Sequence, residues 1–256
     1  MTTITIGQRK GGNGKSTSAL NLTHAFAMKG KRVLLIDLDD QKNSTSAIEA
    51  APPAFTVEDL LLRSEVDVAA AAVATSWEGV SLIAASLSLS GAIRELDGEV
   101  GSHLVLKEKL EAVGTGAEGF DLCLIDTSPS LNILVVNALC ASRYLFIPMS
   151  SKYFSLQGLG QTLEAFAKVK SRLNPELEIL ALAFVIHDGR SALAREVVEK
   201  ARTEYPELVC ATTIGQNIRI EEAQVKRQSI FTYAAEDRGS VQYRALAAEL
   251  LMRIEG

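Results

Sequence analysis

The stretch Gln8-Arg9-Lys10-Gly11-Gly12-Asn13-Gly14-Lys15-Ser16-Thr17 follows an apolar run, Ile4-Thr5-Ile6, and opens a helical pattern. Glycines between a buried strand and a helix are the setting of a phosphate-binding loop. Gly11, Gly12 and Gly14 let the backbone N–H groups of the loop, Asn13 included, curl around an anion. A helix starting at Lys15 adds the partial positive charge of its N-terminus. Lys15 can reach β- and γ-phosphates, the Ser16 hydroxyl can ligate Mg²⁺, and Thr17 is placed to touch an α-phosphate. A bare G-x-G would be weak; G-G-x-G-K-S-T between strand and helix is specific. The usual pattern, G-x-x-x-x-G-K-S/T, would put glycine at position 9. Arg9 stands there instead, and a second lysine, Lys10, follows. Since Lys15 already serves the phosphates, Lys10 is either a solvated loop lysine or a group that points away from its own nucleotide. In a face-to-face dimer it could enter the partner's site and neutralise charge there, as an arginine finger does.

Outward from the loop, strand-like runs fall at 3–8, 32–38, 80–85, 121–126, 144–149, 179–186 and 209–214. Most are continuously apolar, as in a parallel sheet covered on both faces. Helical patterns occupy about 15–29, 56–74, 102–113, 131–141, 155–173, 190–204 and 239–254. The first ends in a basic turn and a glycine stop, Lys29-Gly30. The Ala-rich part, 66–74, reads as plain helix and Pro52-Pro53 as a turn. The alternation predicts an open, doubly wound α/β sheet, mostly parallel, with helices on both faces. Ligands of such sheets sit at the carboxyl ends of the strands. Residues 1–256 are expected to form a single domain, with no repeat and no linker.

The chain has 256 residues, enough for a large core, and its 47% hydrophobic and 22% charged residues suit a globular protein. No apolar run reaches the roughly 18–20 residues a membrane span needs, and the N-terminus lacks a secretion signal. Cys123, Cys140 and Cys210 are far apart in apolar surroundings, read as core residues of a reducing compartment. His24, His103 and His187 form no metal-binding pattern. A net charge of −5 argues against a uniformly basic nucleic-acid binder but leaves room for a local basic patch.

Two further segments carry carboxylates. In Leu34-Leu35-Ile36-Asp37-Leu38-Asp39-Asp40-Gln41-Lys42-Asn43, the two-residue strand period puts Asp37 and Asp39 on one face. Both could reach a magnesium nucleotide, or could simply be solvated strand-end charges. Phosphoryl transfer to water needs an oriented water and a neutralised phosphate more than covalent help. Leu122-Cys123-Leu124-Ile125-Asp126 is an apolar strand ending in an aspartate. Asp126 would hold Mg²⁺, through water, since that ion keeps several of its waters.

The K-G-G-x-G-K-S/T-T loop with its extra lysine resembles the deviant Walker A ATPases, the family of ParA, Soj and MinD, whose members also lack glycine where Arg9 stands. The resemblance covers nearly the whole chain, least so at 50–115. The second-strand segment is similar to the family's D-x-D-P-Q-x-N, with Asp40 in place of proline and Lys42 in place of a small residue. Asp126-Thr127-Ser128-Pro129 is similar to D-x-P-P, and Tyr153-Phe154-Ser155-Leu156-Gln157-Gly158 to E-Y-x-A-L-E-G, with Lys152 at the usually acidic place. Ile214-Gly215-Gln216-Asn217-Ile218-Arg219-Ile220-Glu221-Glu222-Ala223 is similar to I-P-R-N-V-R-L-S-E-A, with Gly215-Gln216 replacing Pro-Arg.

The resemblance implies an ATP- and Mg²⁺-dependent ATPase. It assigns Lys10 to the cross-dimer contact, Asp39 to the attacking water, Asp37 to support of the metal shell, Asn217 to the adenine and Arg219 to DNA. It implies a homodimer with ATP, non-specific binding to double-stranded DNA, a ParB-like partner, and a cytoplasmic, nucleoid-associated protein that partitions plasmid or chromosomal DNA. The chain is expected to be the short form, without a built-in operator-binding domain before the loop. Other DNA candidates are Arg190, Arg195, Lys200, Arg202, Lys226 and Arg227. With Arg219 these seven bases face seven acids over 187–230, so a solvated mixed surface is the alternative. The ending, Arg244 to Gly256, has no basic cluster of the membrane-binding kind and reads as a packed last helix. A protein-cluster cargo, or a nucleotide-dependent scaffold with little turnover, are the rival functions.

Overall fold

The computed structural model describes residues 1–113 and 119–256, without the side chains of Tyr153, Phe154 and Gln157. The resemblance at those three side chains therefore lies outside what is described. The elements, in order, are β1 (Thr2–Ile6), α1 (Lys15–Ala27), β2 (Val33–Leu38), α2 (Asn43–Ser46), α3 (Val57–Leu62), α4 (Val68–Ala71), β3 (Val73–Ala74), β4 (Val80–Ile83) and α5 (Leu89–Leu96). A 3-10 turn at Ser102–Leu104 leads into α6 (Val105–Glu111), then β5 (Leu122–Thr127), α7 (Ile133–Ala141), β6 (Tyr144–Ser150), α8 (Tyr153–Arg172) and β7 (Glu178–Ile186). The chain closes with α9 (Ala192–Glu204), α10 (Ile218–Val225), α11 (Ile230–Tyr233) and α12 (Arg238–Glu255).

Seven strands form one sheet in the order β3-β4-β2-β5-β1-β6-β7. All pairings are parallel except the short β3 against β4. β2 and β5 are buried along their whole length, as continuous apolar runs require when helices cover both faces. Alternation sorts their side chains. Val33 and Leu35 of β2, with Leu122 and Leu124 of β5, join Leu20, Phe26 and Leu246 in a core under α1 and α12. Leu34, Ile36, Cys123 and Ile125 pack on the other face with Leu60 of α3, Leu96 of α5, Leu106 of α6 and Leu134 of α7. A third cluster, with Leu145, Phe184, Val197 and Val198, fills the β6–β7 end. The three cysteines are free and buried.

This parity positions the site. Asp37 follows Val33 and Leu35, and Asp126 follows Leu122 and Leu124, so both carboxylates project to the α1 face. They are directly opposite each other in the β2–β5 register. From β1 the chain crosses to β2 on one side, while β6 lies on the other side of β1. A crevice opens at such a reversal, beyond the carboxyl ends of the strands.

Two expected elements fail. Residues 56–74 do not form one helix but α3, α4 and β3. A reciprocal Thr56–Asp59 capping box starts α3, the Asp67 carboxylate caps α4 afresh, and the backbone beyond Ala72 pairs with β4. Residues 209–214 are not a strand; only single bridges, Leu182 to Val209 and His187 to Gly215, tie the segment to its neighbour. Between them the Glu249 carboxylate of α12 accepts the N–H groups of Ala211 and Thr212 (2.9 and 3.0 Å), which removes donors a ladder needs. The helices α2, α5, α10 and α11 were not foreseen. The last helix is packed as expected, with Tyr243, Leu246, Ala247 and Leu250 buried. Among the described residues no helix is long and apolar enough to cross a membrane.

Candidate nucleotide site

β1 ends at Ile6 and α1 starts at Lys15, so the glycine stretch is the strand-to-helix loop. Gly14 is the N-cap of α1 at φ 77°, and a Cβ there would come within 2.8 Å of Val185 Cγ2. Both backbone and packing therefore demand glycine. A cavity of about 620 Å³ lies over the loop. Gly11, Gly12, Gly14, Lys15, Ser16 and Thr17 form its floor. Asp39, Gln41 and Asn43 wall one side, and Pro129, the Gln224 and Val225 end of α10 and Arg227 just beyond it wall the others. Thr17 Oγ1 accepts from Gln224 Nε2 at 2.9 Å, so α10 is tied to the loop helix at the rim.

Asn13 is buried and its side chain points beneath the loop. Its Oδ1 accepts from Ser150 Oγ at 3.0 Å and Ser155 Oγ at 3.3 Å, while its buried Nδ2 has no hydrogen-bond partner among the described residues. Lys10 is half-buried and lies outside the cavity lining. Its stem packs on α8, where a Cβ at Gly158 would be 3.2 Å from Lys10 Cβ. The residues before it are tethered to the same helix: Thr162 Oγ1 donates to Gln8 Oε1 and accepts from the Arg9 N–H at 3.2 Å.

Lys15, Asp37, Asp39 and Asp126 are all buried. Burial lowers the Lys15 pKa, opposed by the charges of Asp126 and Asp39. Burial raises Asp39 and lifts Asp37 to about 6, against hydrogen bonds from the Thr45 backbone and hydroxyl. Asp126 is pushed to about 7 by burial and then by the facing Asp37. The Ser16 hydroxyl lies close enough to favour its charged form, yet among the described residues no hydrogen bond reaches Asp126 Oδ1. Three buried carboxylates against one lysine leave the site short of positive charge. An unpartnered buried carboxylate oxygen beside a hydroxyl is a hard-oxygen donor set that fits a magnesium ion. Among the described residues no three acidic, histidine or cysteine side chains converge as a complete cage. A cation here would take its other ligands from phosphate and water, which is how that ion is commonly held.

The region expected at the adenine differs. Asn217 is the N-cap of α10, accepting from the Arg219 N–H at 2.9 Å and donating to Asp237, and it does not line the cavity. Gln224, Val225 and Arg227, about two turns further on, do. Gly215, where the family has proline, leaves room for the Arg238 guanidinium, which a Cβ would overlap. Arg219 is exposed on the first turn of α10 and ion-paired to Glu222 at 2.9 Å. Arg190, Lys200 and Arg202 likewise have acidic neighbours. Sequence reasoning missed Ser44, Thr45 and Gln224, whose importance comes only from tertiary contacts.

A parallel sheet with a phosphate loop at its reversal and carboxylates at the next two strand ends defines a P-loop ATPase. A protein-family profile described as an AAA domain matches residues 1–179. The chromosome-partitioning ATPase Soj of Treponema pallidum is 38% identical over 98% of this chain and 97% of its own length. The chromosome partitioning protein ParA of Caulobacter vibrioides is 35% identical over 98% and 94%. Cobyrinic acid a,c-diamide synthase of Mycobacterium smegmatis, solved with an ATP analogue and magnesium, superposes with a TM-score of 0.84 at 29% identity, covering 100% of this chain and 96% of that one. One fold thus serves different chemistries, and the closer sequence relatives decide between them. The chain belongs to the Soj and ParA family of partitioning ATPases.

Proposed function

We propose that the protein is an ATP-dependent dimerising switch that binds DNA without sequence preference, hydrolyses ATP slowly and partitions plasmid or chromosomal DNA with a ParB-like partner. Its place would be the cytoplasm, on the nucleoid. The observation that carries this reading is the division of labour between the two loop lysines: Lys15 lies in the floor of the cavity, whereas Lys10 lies outside it, against α8.

The loop backbone from Gly11 to Thr17 binds the phosphates, and Lys15 neutralises them. A magnesium ion, held by Ser16 and Asp126 with Asp37 behind, would supply further neutralisation of the phosphate charge. Asp39, at the cavity wall, accepts a hydrogen bond from the attacking water and orients it. Lys10 reaches the phosphates of the second subunit. Asn217, as the α10 cap, acts on the base only through the position of Gln224 and Arg227. Arg219 meets DNA phosphate by exchanging Glu222 for it, and the ATP dimer presents two such faces.

Fluorescence anisotropy with random-sequence duplex DNA, with ATP and with ADP across a salt series, tests the switch. Binding with ATP alone, falling steeply with salt, is expected, because each phosphate contact releases a counterion. Arg219→Ala should then weaken binding uniformly across sequences and flatten the salt slope by about one unit. Absence of binding in both nucleotide states would remove DNA from the mechanism.

A further inference from the structure

The one-turn helix α2 holds both strand-end carboxylates through consecutive residues. Ser44 is fully buried, and its Oγ donates to Asp126 Oδ2 at 2.7 Å. The next residue, Thr45, donates to Asp37 Oδ2 from its N–H and its hydroxyl, both at 2.8 Å. Thr45 Oγ1 in turn accepts from the Ala85 N–H at 2.9 Å, which anchors the turn to the end of β4. Asp37 Oδ1 accepts from the Asp39 N–H at 3.1 Å. The carboxylates of β2 and β5 and the 39–46 segment are therefore one hydrogen-bonded unit.

Asp126 uses its oxygens unequally. Oδ2 is engaged by Ser44, and Oδ1 is buried without a hydrogen bond among the described residues. A carboxylate with one oxygen fixed cannot rotate about its last bond without breaking that bond, so the free oxygen keeps one direction. We propose that Ser44 is a positioning residue for the metal: its hydroxyl fixes Asp126 so that Oδ1 remains available to the cation and its waters. Because Ser44 sits on the segment that leads from Asp39, the same bond links a filled metal position to an ordered Asp39. The inference rests on the reading of this cavity as a magnesium-nucleotide site, and goes beyond it in assigning α2 as the support of the metal ligand.

The test is a Mg²⁺ titration of a fluorescent ATP analogue on the full chain, for wild type, Ser44→Ala and Ser44→Thr, with a parallel titration in EDTA. Loss of a hydrogen bond that orients a metal ligand typically costs 10–100-fold in metal affinity. Ser44→Ala should therefore raise the Mg²⁺ midpoint by about tenfold or more. Its nucleotide affinity in EDTA should stay within about twofold of wild type, since Ser44 lies outside the cavity lining. Ser44→Thr, which keeps the hydroxyl, should return the midpoint toward wild type. Hydrogen exchange should show Mg²⁺-nucleotide protecting the 39–46 amides in wild type and less so in Ser44→Ala. An unchanged midpoint in Ser44→Ala, or an equal loss of affinity with and without Mg²⁺, overturns the positioning role. Wild type that binds no nucleotide, or binds it with no Mg²⁺ dependence, overturns the reading of the site itself and this role with it.

Discussion

Asp126 is fully buried opposite Asp37, and its environment works against its charge. Burial and then Asp37 push its pKa to about 7, while Ser16 and Ser44 favour the charged form without offsetting this. Asp37 is raised to about 6, by burial first. Both values lie above the ordinary 3.8. The folded protein thus binds these protons more tightly than the unfolded chain does. Their contribution to stability is complete below the unfolded value, declines above it and is lost as pH rises through about 6 to 7. Above about pH 7 the metal-free protein must hold two facing buried charges. Asp126→Asn removes one and keeps an acceptor for Ser44. In EDTA at pH 7.5 it should melt higher than wild type, by roughly 2–4 °C for each kcal/mol of relieved repulsion. The gain should shrink toward pH 4, where wild type is protonated. Thermal melts across pH decide this; a lower melting temperature at pH 7.5 would mean that the chain's own groups already compensate Asp126.

At the level of elements, the segment between Asp39 and α2 carries a local conflict. Lys42 is the N-cap of α2 at φ 53° and ψ 35°, a left-handed conformation. A side chain there costs roughly 1–2 kcal/mol, and Lys42 stands where the family has a small residue. Lys42→Gly should stabilise the fold by about 0.5–1 kcal/mol, part of the relief being offset by glycine's greater freedom in the unfolded chain. The check is a urea melt: the midpoint should rise with an unchanged slope, and a fall would show that the lysine stem contributes packing that outweighs the strain. This conflict could be read in the sequence once the resemblance was seen; other features could not. Most of the strands β1, β2, β4, β5, β6 and β7 were legible as apolar runs, although β1 alternates threonine with isoleucine. Residues 56–74 were not, because alanine favours helix locally while Asp67 and the edge of β4 divide the segment. Residues 209–214 have strand composition, but Glu249, far along the chain, takes the N–H groups of Ala211 and Thr212 in their middle. Asn217 is a residue type that favours N-caps, but the helix it caps, α10, was itself not foreseen. Ser44 carried no signal, since a serine after Asn43 shows its use only when β5 brings Asp126 beside it.

For the whole molecule, the loop lysines make separable predictions. Lys15 lies in the floor of the cavity, among the groups that would meet a bound phosphate. Lys10 packs on α8, to which the Gln8–Thr162 bond also ties the loop. A charge placed there affects nucleotide binding weakly within one subunit and strongly only if a second copy brings its own cavity to it. Lys15→Ala should accordingly lose nucleotide affinity outright. Lys10→Ala should keep affinity within a few-fold yet remain a monomer of 27.5 kDa when saturated with ATP. Light scattering coupled to size exclusion reads the mass, and an Asp39→Ala background, in which turnover should be slowed, is expected to keep ATP bound during the run. On that background the native loop should give twice the monomer mass with ATP and the monomer with ADP. Should Lys10→Ala still dimerise with ATP, the cross-subunit role fails and Lys10 belongs to the architecture of α8. Should Lys10→Ala lose nucleotide as Lys15→Ala does, the two lysines serve one site, and the dimer must be assembled by another surface.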